Sequence, residues 1–119
     1  MQYVIGVDAG GPKTTAAAFL PDGTKLAEEK GAFGNVTVDF DAGISHICET
    51  VDRLMQKVDG DCVYLCLGCA GIETGGRKEK AAAIFKERYP FPCFLTNDAM
   101  LGLYAALCGK DGILIIAGT

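Results

Sequence analysis

Cys62-Val-Tyr-Leu-Cys-Leu67 is a run of six residues with no charge and no hydrophobic–polar alternation. A run this short suits one strand, and the missing alternation means that both faces of that strand must be covered. Such a strand sits inside a sheet that carries helices on its faces. It cannot span a membrane, which takes about 20 apolar residues. The rest of the chain must therefore supply flanking strands and covering helices. Half of its 119 residues are hydrophobic, which is enough for a real core and, at this length, for one compact domain.

The flanks read accordingly. Tyr3 to Val7 is a short apolar strand that ends in Asp8 and a glycine turn. Thr14 to Leu20 and Thr24 to Glu29 follow as strands, separated by Pro21-Asp-Gly23, where Pro presets φ and Gly permits φ > 0. These three form an antiparallel meander. A helix is predicted from about Asp39 to Val58, with Phe40, Ile44, Ile47, Val51, Leu54, Met55 and Val58 on one stripe. Asp39 and Asp41 suit its positive end, and Gly60 stops it. After the Cys62–Leu67 strand comes a loop, Gly68 to Gly76, with four glycines. A second helix is predicted over Lys78–Arg88, with Ala82, Phe85 and Tyr89 on one side, stopped by Pro90 and Pro92. Cys93 to Thr96 is a further strand. Asn97 or Asp98 then caps a third helix that carries Leu101, Tyr104, Ala105 and Cys108 and closes at Gly109. Gly112 to Ala117 is a last strand. The order β-β-β-α-β-α-β-α-β implies an α/β fold, a mixed sheet flanked by helices. A strand over 112–117 with nothing after it reads as the start of something longer.

Charge and cysteine usage exclude several classes. Eleven Lys plus Arg against fifteen Asp plus Glu give a net charge of −4, without the basic surplus of a nucleic-acid binder. No secretory pattern opens the chain, so a cytoplasmic protein with reduced thiols is expected. Of the six cysteines (48, 62, 66, 69, 93 and 108), Cys62, Cys66, Cys93 and Cys108 lie in apolar segments, where free Cys behaves as a small buried hydrophobe. On strict alternation, Cys62 and Cys66 share one strand face and Cys69 takes the other. Their spacing fits neither a zinc site nor an iron–sulfur run. His46 reads as a boundary residue, and Gly75, Gly76, Arg77, Lys78 and Lys80 as a solvated basic cluster.

Glycine is in excess, at 16 residues, and it clusters, which points to tight turns close to ligands. Asp8-Ala-Gly-Gly-Pro-Lys-Thr14 lies between two strands. Gly10 and Gly11 can turn backbone N–H groups toward an anion, Lys13 adds charge, and Asp8 suits a hydrated Mg²⁺ beside phosphates. It is not a Walker loop, because the spacing differs and a strand follows it.

Five motifs in order carry a resemblance: Val7-Asp-Ala-Gly-Gly-Pro-Lys-Thr14, Gly34-Asn35, Leu67-Gly-Cys-Ala-Gly71, Thr96-Asn-Asp-Ala99 and Ile116-Ala-Gly-Thr119. The chain resembles the N-terminal part of the N-acetylglucosamine kinase and BadF/BadG/BcrA/BcrD ATPase family, within the actin/hexokinase/Hsp70-like superfamily. The resemblance implies a ribonuclease-H-like fold over residues 1–110, with 111–119 starting the next domain. It also implies ATP and Mg²⁺ as cofactors and an amino sugar, N-acetylglucosamine or a close relative, as phosphoryl acceptor. By position, Asp8, Gly10, Gly11, Pro12 and Lys13 form the first phosphate loop, with Asp8 near the metal through water or phosphate. Gly118 and Thr119 begin the second phosphate loop. Asn35, Ala70, Gly71, Asn97 and Asp98 face the sugar, and Asp98 is the catalytic base. Pro12 stands where the family has Thr or Ser, so neither a hydroxyl nor an N–H is available there. The strand over 112–117, without a domain of its own, is expected to pair with another chain, which gives a homo-oligomer such as a swapped dimer, and this segment alone, with half a cleft, is expected to be inactive. Two other jobs go with the same fold: an ATPase activator of a 2-hydroxyacyl-CoA dehydratase, and a non-catalytic sugar sensor.

Overall fold

In the computed structural model, residues 1–9, 12–69, 71–73 and 75–96 are described. They form β1 (Gln2–Asp8), β2 (Thr14–Phe19), β3 (Lys25–Gly31), α1 (Phe40–Lys57), β4 (Asp61–Gly68), α2 (Arg77–Arg88) and β5 (Cys93–Thr96). The β2–β3 connection turns where Gly23 takes φ +96°, and Asp22 holds the turn by accepting from the Thr24 N–H at 2.9 Å. The sheet order is β3-β2-β1-β4-β5. β1, β2 and β3 pair antiparallel, as the meander predicted, and β1, β4 and β5 run parallel. β4 thus lies between β1 and β5, with Tyr64 to Leu67 buried.

α1 forms on the predicted stripe. Asp39 caps it by accepting from the Ala42 N–H at 3.0 Å, and Ile44, Ile47, Val51 and Leu54 are buried. They meet Tyr3, Ile5, Val7, Leu65, Leu67 and Leu95 on one sheet face. α2 joins the same layer through Ala81 and Phe85. Ala81, not Ala82, completes the i, i+4 row with Phe85 and Tyr89; Ala82 is exposed. The Tyr89 hydroxyl donates to Asp52 at 2.8 Å, and Arg88 pairs with the same carboxylate, tying α2 to α1. Val4, Tyr64 and Cys66 form a second buried cluster.

The cysteine arrangement corrects the alternation argument. Tyr3 pairs with Cys62, but Val4 pairs with Tyr64, so Val63 is an extra residue in β4. This bulge flips the phase. Cys62 packs with the α1-facing cluster and Cys66 with the opposite one, while Cys69 belongs to the α1-facing cluster. Among the described residues no group of three or more His, Cys, Asp or Glu side chains could hold a metal ion.

α1 also reaches over the outermost strand, β3. Lys57 and Arg53 pair with Glu29 at 2.6 and 3.5 Å. The same two side chains donate to the carbonyls of Glu28 and Lys30 at 3.3 and 3.0 Å. His46 is half-buried as expected, its Nδ1–H donating to the Phe33 carbonyl at 2.7 Å. The expected third helix, the strand over 112–117 and the boundary at 110 lie outside the described residues. Among the described residues, no helix is long and apolar enough to cross a membrane.

Candidate functional site

Three parallel strands deliver their carboxyl ends to one edge. Asp8 is level with Gly68, and Gly68 with Thr96. The pairing runs one step further, with the Ala9 N–H donating to Gly68 and the Cys69 N–H to Thr96, both at 2.8 Å. Such an edge is where open α/β sheets bind ligands. β2 starts at the same edge, with Thr15 opposite Asp8. The loops that follow β1, β3 and β4 all leave from here.

The loop after β3 is held by contacts that only glycine permits. A Cβ on Gly34 would lie 2.6 Å from the Ala9 Cβ and 2.7 Å from Thr14 Oγ1. Thr14, fully buried, donates its hydroxyl to the Ala32 carbonyl at 2.7 Å. Cys69 donates its thiol to the Gly34 carbonyl at 3.3 Å. Burial pushes this thiol up, so it keeps its proton. Gly43 on the first turn of α1 also lies near, though less tightly: a Cβ there would be 3.3 Å from the Gly34 carbonyl.

Asn35 follows directly. Its Oδ1 accepts from the Thr37 N–H at 2.9 Å and from the Thr37 hydroxyl at 2.6 Å. Gly71, after β4, takes φ +79°, and a Cβ there would lie 2.2 Å from Thr37 Cγ2. Thr37 therefore bridges the Asn35 loop and the Gly71 loop. Arg77 at the start of α2 donates to the Gly71 carbonyl at 3.4 Å. The basic cluster is engaged, not simply solvated: Lys78 pairs with Glu73 at 3.2 Å, and the Lys80 ammonium sits 4.5 Å above the Phe40 ring.

Of the predicted site residues, the structure brings Asp8, Asn35 and Gly71 to one edge. Pro12 and Lys13 are exposed on the turn between β1 and β2. Gly10, Gly11, Ala70, Asn97, Asp98, Gly118 and Thr119 lie outside the described residues. Asp8 offers an exposed carboxylate at the strand end. One carboxylate suits Mg²⁺, which keeps most of its waters and takes phosphate oxygens, and Lys13 suits a phosphate. The donor set thus fits a metal–nucleotide group, with Pro12 contributing no hydrogen-bond donor. Thr14, Thr37 and Cys69 hold the loops together and escaped the sequence reading. For Thr37 a signal was present: Asn-x-Thr is the pattern of a turn closed on its own Asn side chain.

No family model matches the chain. A curated N-acetylmuramic acid/N-acetylglucosamine kinase from Clostridium acetobutylicum is 27% identical over 125 aligned residues, covering all of this chain and 40% of its own length. A glucosamine kinase from Vibrio cholerae is 25% identical over 125, again covering all of this chain and 42% of its own length. The chain is similar to kinases named for amino sugars. It spans about two-fifths of the length of these kinases. The fold agrees. A ROK family glucokinase from Streptomyces griseus, solved with glucose and AMPPNP, superposes with a TM-score of 0.68 at 22% identity, covering 87% of this chain and 35% of that one. The mixed sheet with flanking helices is the fold found in these solved sugar kinases.

Proposed function

We propose that this chain is the N-terminal, acceptor-binding part of an ATP-dependent kinase that phosphorylates a hydroxyl of N-acetylglucosamine or a related amino sugar. The observation that carries this reading is the interlock of the Asn35 and Gly71 loops beside Asp8 at the carboxyl edge of the sheet, in a chain whose relatives are named for amino sugars. Asn35 and the Ala70-Gly71 backbone hold and orient the sugar, and Asn97 is assigned to it by the resemblance. Asp98 accepts the proton that the attacking hydroxyl gives up as its oxygen bonds to the γ-phosphorus and the bond from that phosphorus to the β–γ bridging oxygen breaks, with ADP leaving. Bound ATP with Mg²⁺ supplies the γ-phosphoryl group and part of the neutralising positive charge. Asp8, Lys13 and the Gly10-Gly11 backbone face that group from this side, and Gly118 and Thr119 begin the loop that faces it from the other. Residues 1–110 form one domain, and 111–119 lead into a second that completes the cleft. The working protein is a cytoplasmic homo-oligomer. The names of the relatives favour sugar phosphorylation over the dehydratase-activator and sensor roles.

The test is sugar-dependent ADP release by the full-length protein across glucosamine, N-acetylglucosamine, N-acetylmuramic acid and glucose. One of the three amino sugars should show the highest kcat/KM. Asp98→Asn should cut turnover by about a hundredfold or more, the scale of losing a general base, with sugar binding changed much less. Turnover within tenfold of wild type, or a preference for glucose, would remove this reading.

A further inference from the structure

We infer that Thr37 is a positioning residue that fixes the polarity with which Asn35 meets the sugar: the Asn35 amide can only donate. The inference rests on the assignment of Asn35 to the sugar made above. A carboxamide oxygen has two lone pairs, and its nitrogen has two hydrogens. The partner at 2.9 Å from Oδ1 is the Thr37 backbone nitrogen, which is only a donor, so the atom facing it must be the oxygen. The Thr37 hydroxyl takes the second lone pair at 2.6 Å. Both acceptor positions of Asn35 are then used within the loop, and what remains for a ligand is the NH₂ group. Its partner on the substrate must be an acceptor, a hydroxyl or carbonyl oxygen.

The same side chain sets where that NH₂ sits. The methyl of Thr37 packs against Gly71 so closely that a Cβ there would lie 2.2 Å away. Rotating Thr37 about χ1 would move its hydroxyl off Asn35 and drive another substituent toward Gly71. Hydroxyl and methyl therefore lock each other, and the two sugar-facing loops are held in register by one exposed residue. Thr37 need not touch the substrate to do this.

Three variants of the full-length kinase separate the possibilities. Thr37→Val keeps the branched shape but loses the hydroxyl donor. The sugar KM should rise about 3- to 10-fold, the scale of one neutral hydrogen bond, with kcat within about twofold and the thermal midpoint unchanged. Thr37→Ser keeps the donor but loses the methyl that locks it, and should raise the sugar KM clearly less than Thr37→Val does. Asn35→Asp keeps an oxygen for both Thr37 donors but replaces the NH₂ with an acceptor, and should raise the sugar KM by about fiftyfold or more. If Asn35→Asp leaves the sugar KM near wild type, Asn35 does not contact the sugar and the assignment beneath this inference fails. If Asn35→Asp impairs the enzyme but Thr37→Val does not, the positioning role fails while the assignment stands. Equal loss in the Val and Ser variants, or a loss in kcat with KM unchanged, also overturns it. Should Thr37→Val fail to fold, Thr37→Ala carries the same comparison with Thr37→Ser.

Discussion

Gly34→Ala is the sharpest test of how the site edge is assembled. The added Cβ would lie 2.6 Å from the Ala9 Cβ, 2.7 Å from Thr14 Oγ1 and 3.2 Å from Ile47 Cγ1. Carbon atoms rest about 3.5–4.0 Å apart, and the Ala9 Cβ is fixed by the backbone of a fully buried residue. The loop, not its surroundings, has to give. Overpacking of this kind costs about 1–3 kcal/mol. Moving the loop also pulls the Ala32 carbonyl away from Thr14, leaving a buried hydroxyl unsatisfied at a further ~1–3 kcal/mol. The expected total is about 2–6 kcal/mol, a large share of the roughly 5–15 kcal/mol that holds a domain together. Gly23→Ala is the internal control. There φ is +96° but nothing lies within 4 Å of the added carbon, so only backbone strain of about 1–2 kcal/mol is at stake. In urea, with a slope of about 1–3 kcal/mol per molar, Gly34→Ala should lower the midpoint by roughly 1–3 M and Gly23→Ala by less. A Gly34→Ala protein at least as stable as Gly23→Ala would refute the close-packing argument.

Two further outcomes are expected. Pro12→Thr in the full-length kinase supplies a hydroxyl and an N–H to the phosphate loop, and the nucleotide KM should fall about tenfold, as for one hydrogen bond to a charged group; an unchanged KM would show a loop adapted to Pro12. Burial pushes the Cys62 and Cys66 thiols up to about 11 and Cys93 up to about 12, from an ordinary 9.0. A thiol that keeps its proton longer when folded contributes stability that is whole below pH 9.0 and lost as pH rises toward 11–12. Unfolding midpoints should therefore hold from pH 7 to 9 and then fall, less steeply in Cys66→Ala; a flat profile to pH 11 would contradict the burial of these groups.

Much of the architecture was legible because its signals are local. Ile44, Ile47, Val51 and Leu54 recur at helical spacing whatever they pack against, and Pro21-Asp-Gly23 turns by its own chemistry. The unbroken Cys62–Leu67 run marked β4 as a buried strand, and Tyr64 to Leu67 are buried. What the sequence hid depends on contacts between distant segments. The bulge at Val63 is set by pairing with β1, so counting by twos sent Cys62 to the wrong face. Ala81 and Ala82 are chemically equal, and only the position of α2 on the sheet decides which is buried. At the site, Asn35 and Gly71 stood out as residue types, but Thr14, Thr37 and Cys69, which hold them in place, act across loops that the sequence does not show to be adjacent.

The reach of α1 over β3 has a consequence for how the molecule resists sticking to itself. Glu28 and Lys30 are two apart, so their carbonyls point out of the same side of the strand, and both are occupied by side chains from α1. An outer strand with unclaimed carbonyls is a template for a stranger's backbone. Here the template is blanked by a helix, and the blanking is done with positive charge. The guard against aggregation is therefore encoded twenty-two or more positions away from the strand it protects, at Arg53 and Lys57. Neutral substitutions on that outer helical surface, which would pass for harmless by every local criterion, bear directly on whether this strand edge stays closed to a foreign backbone.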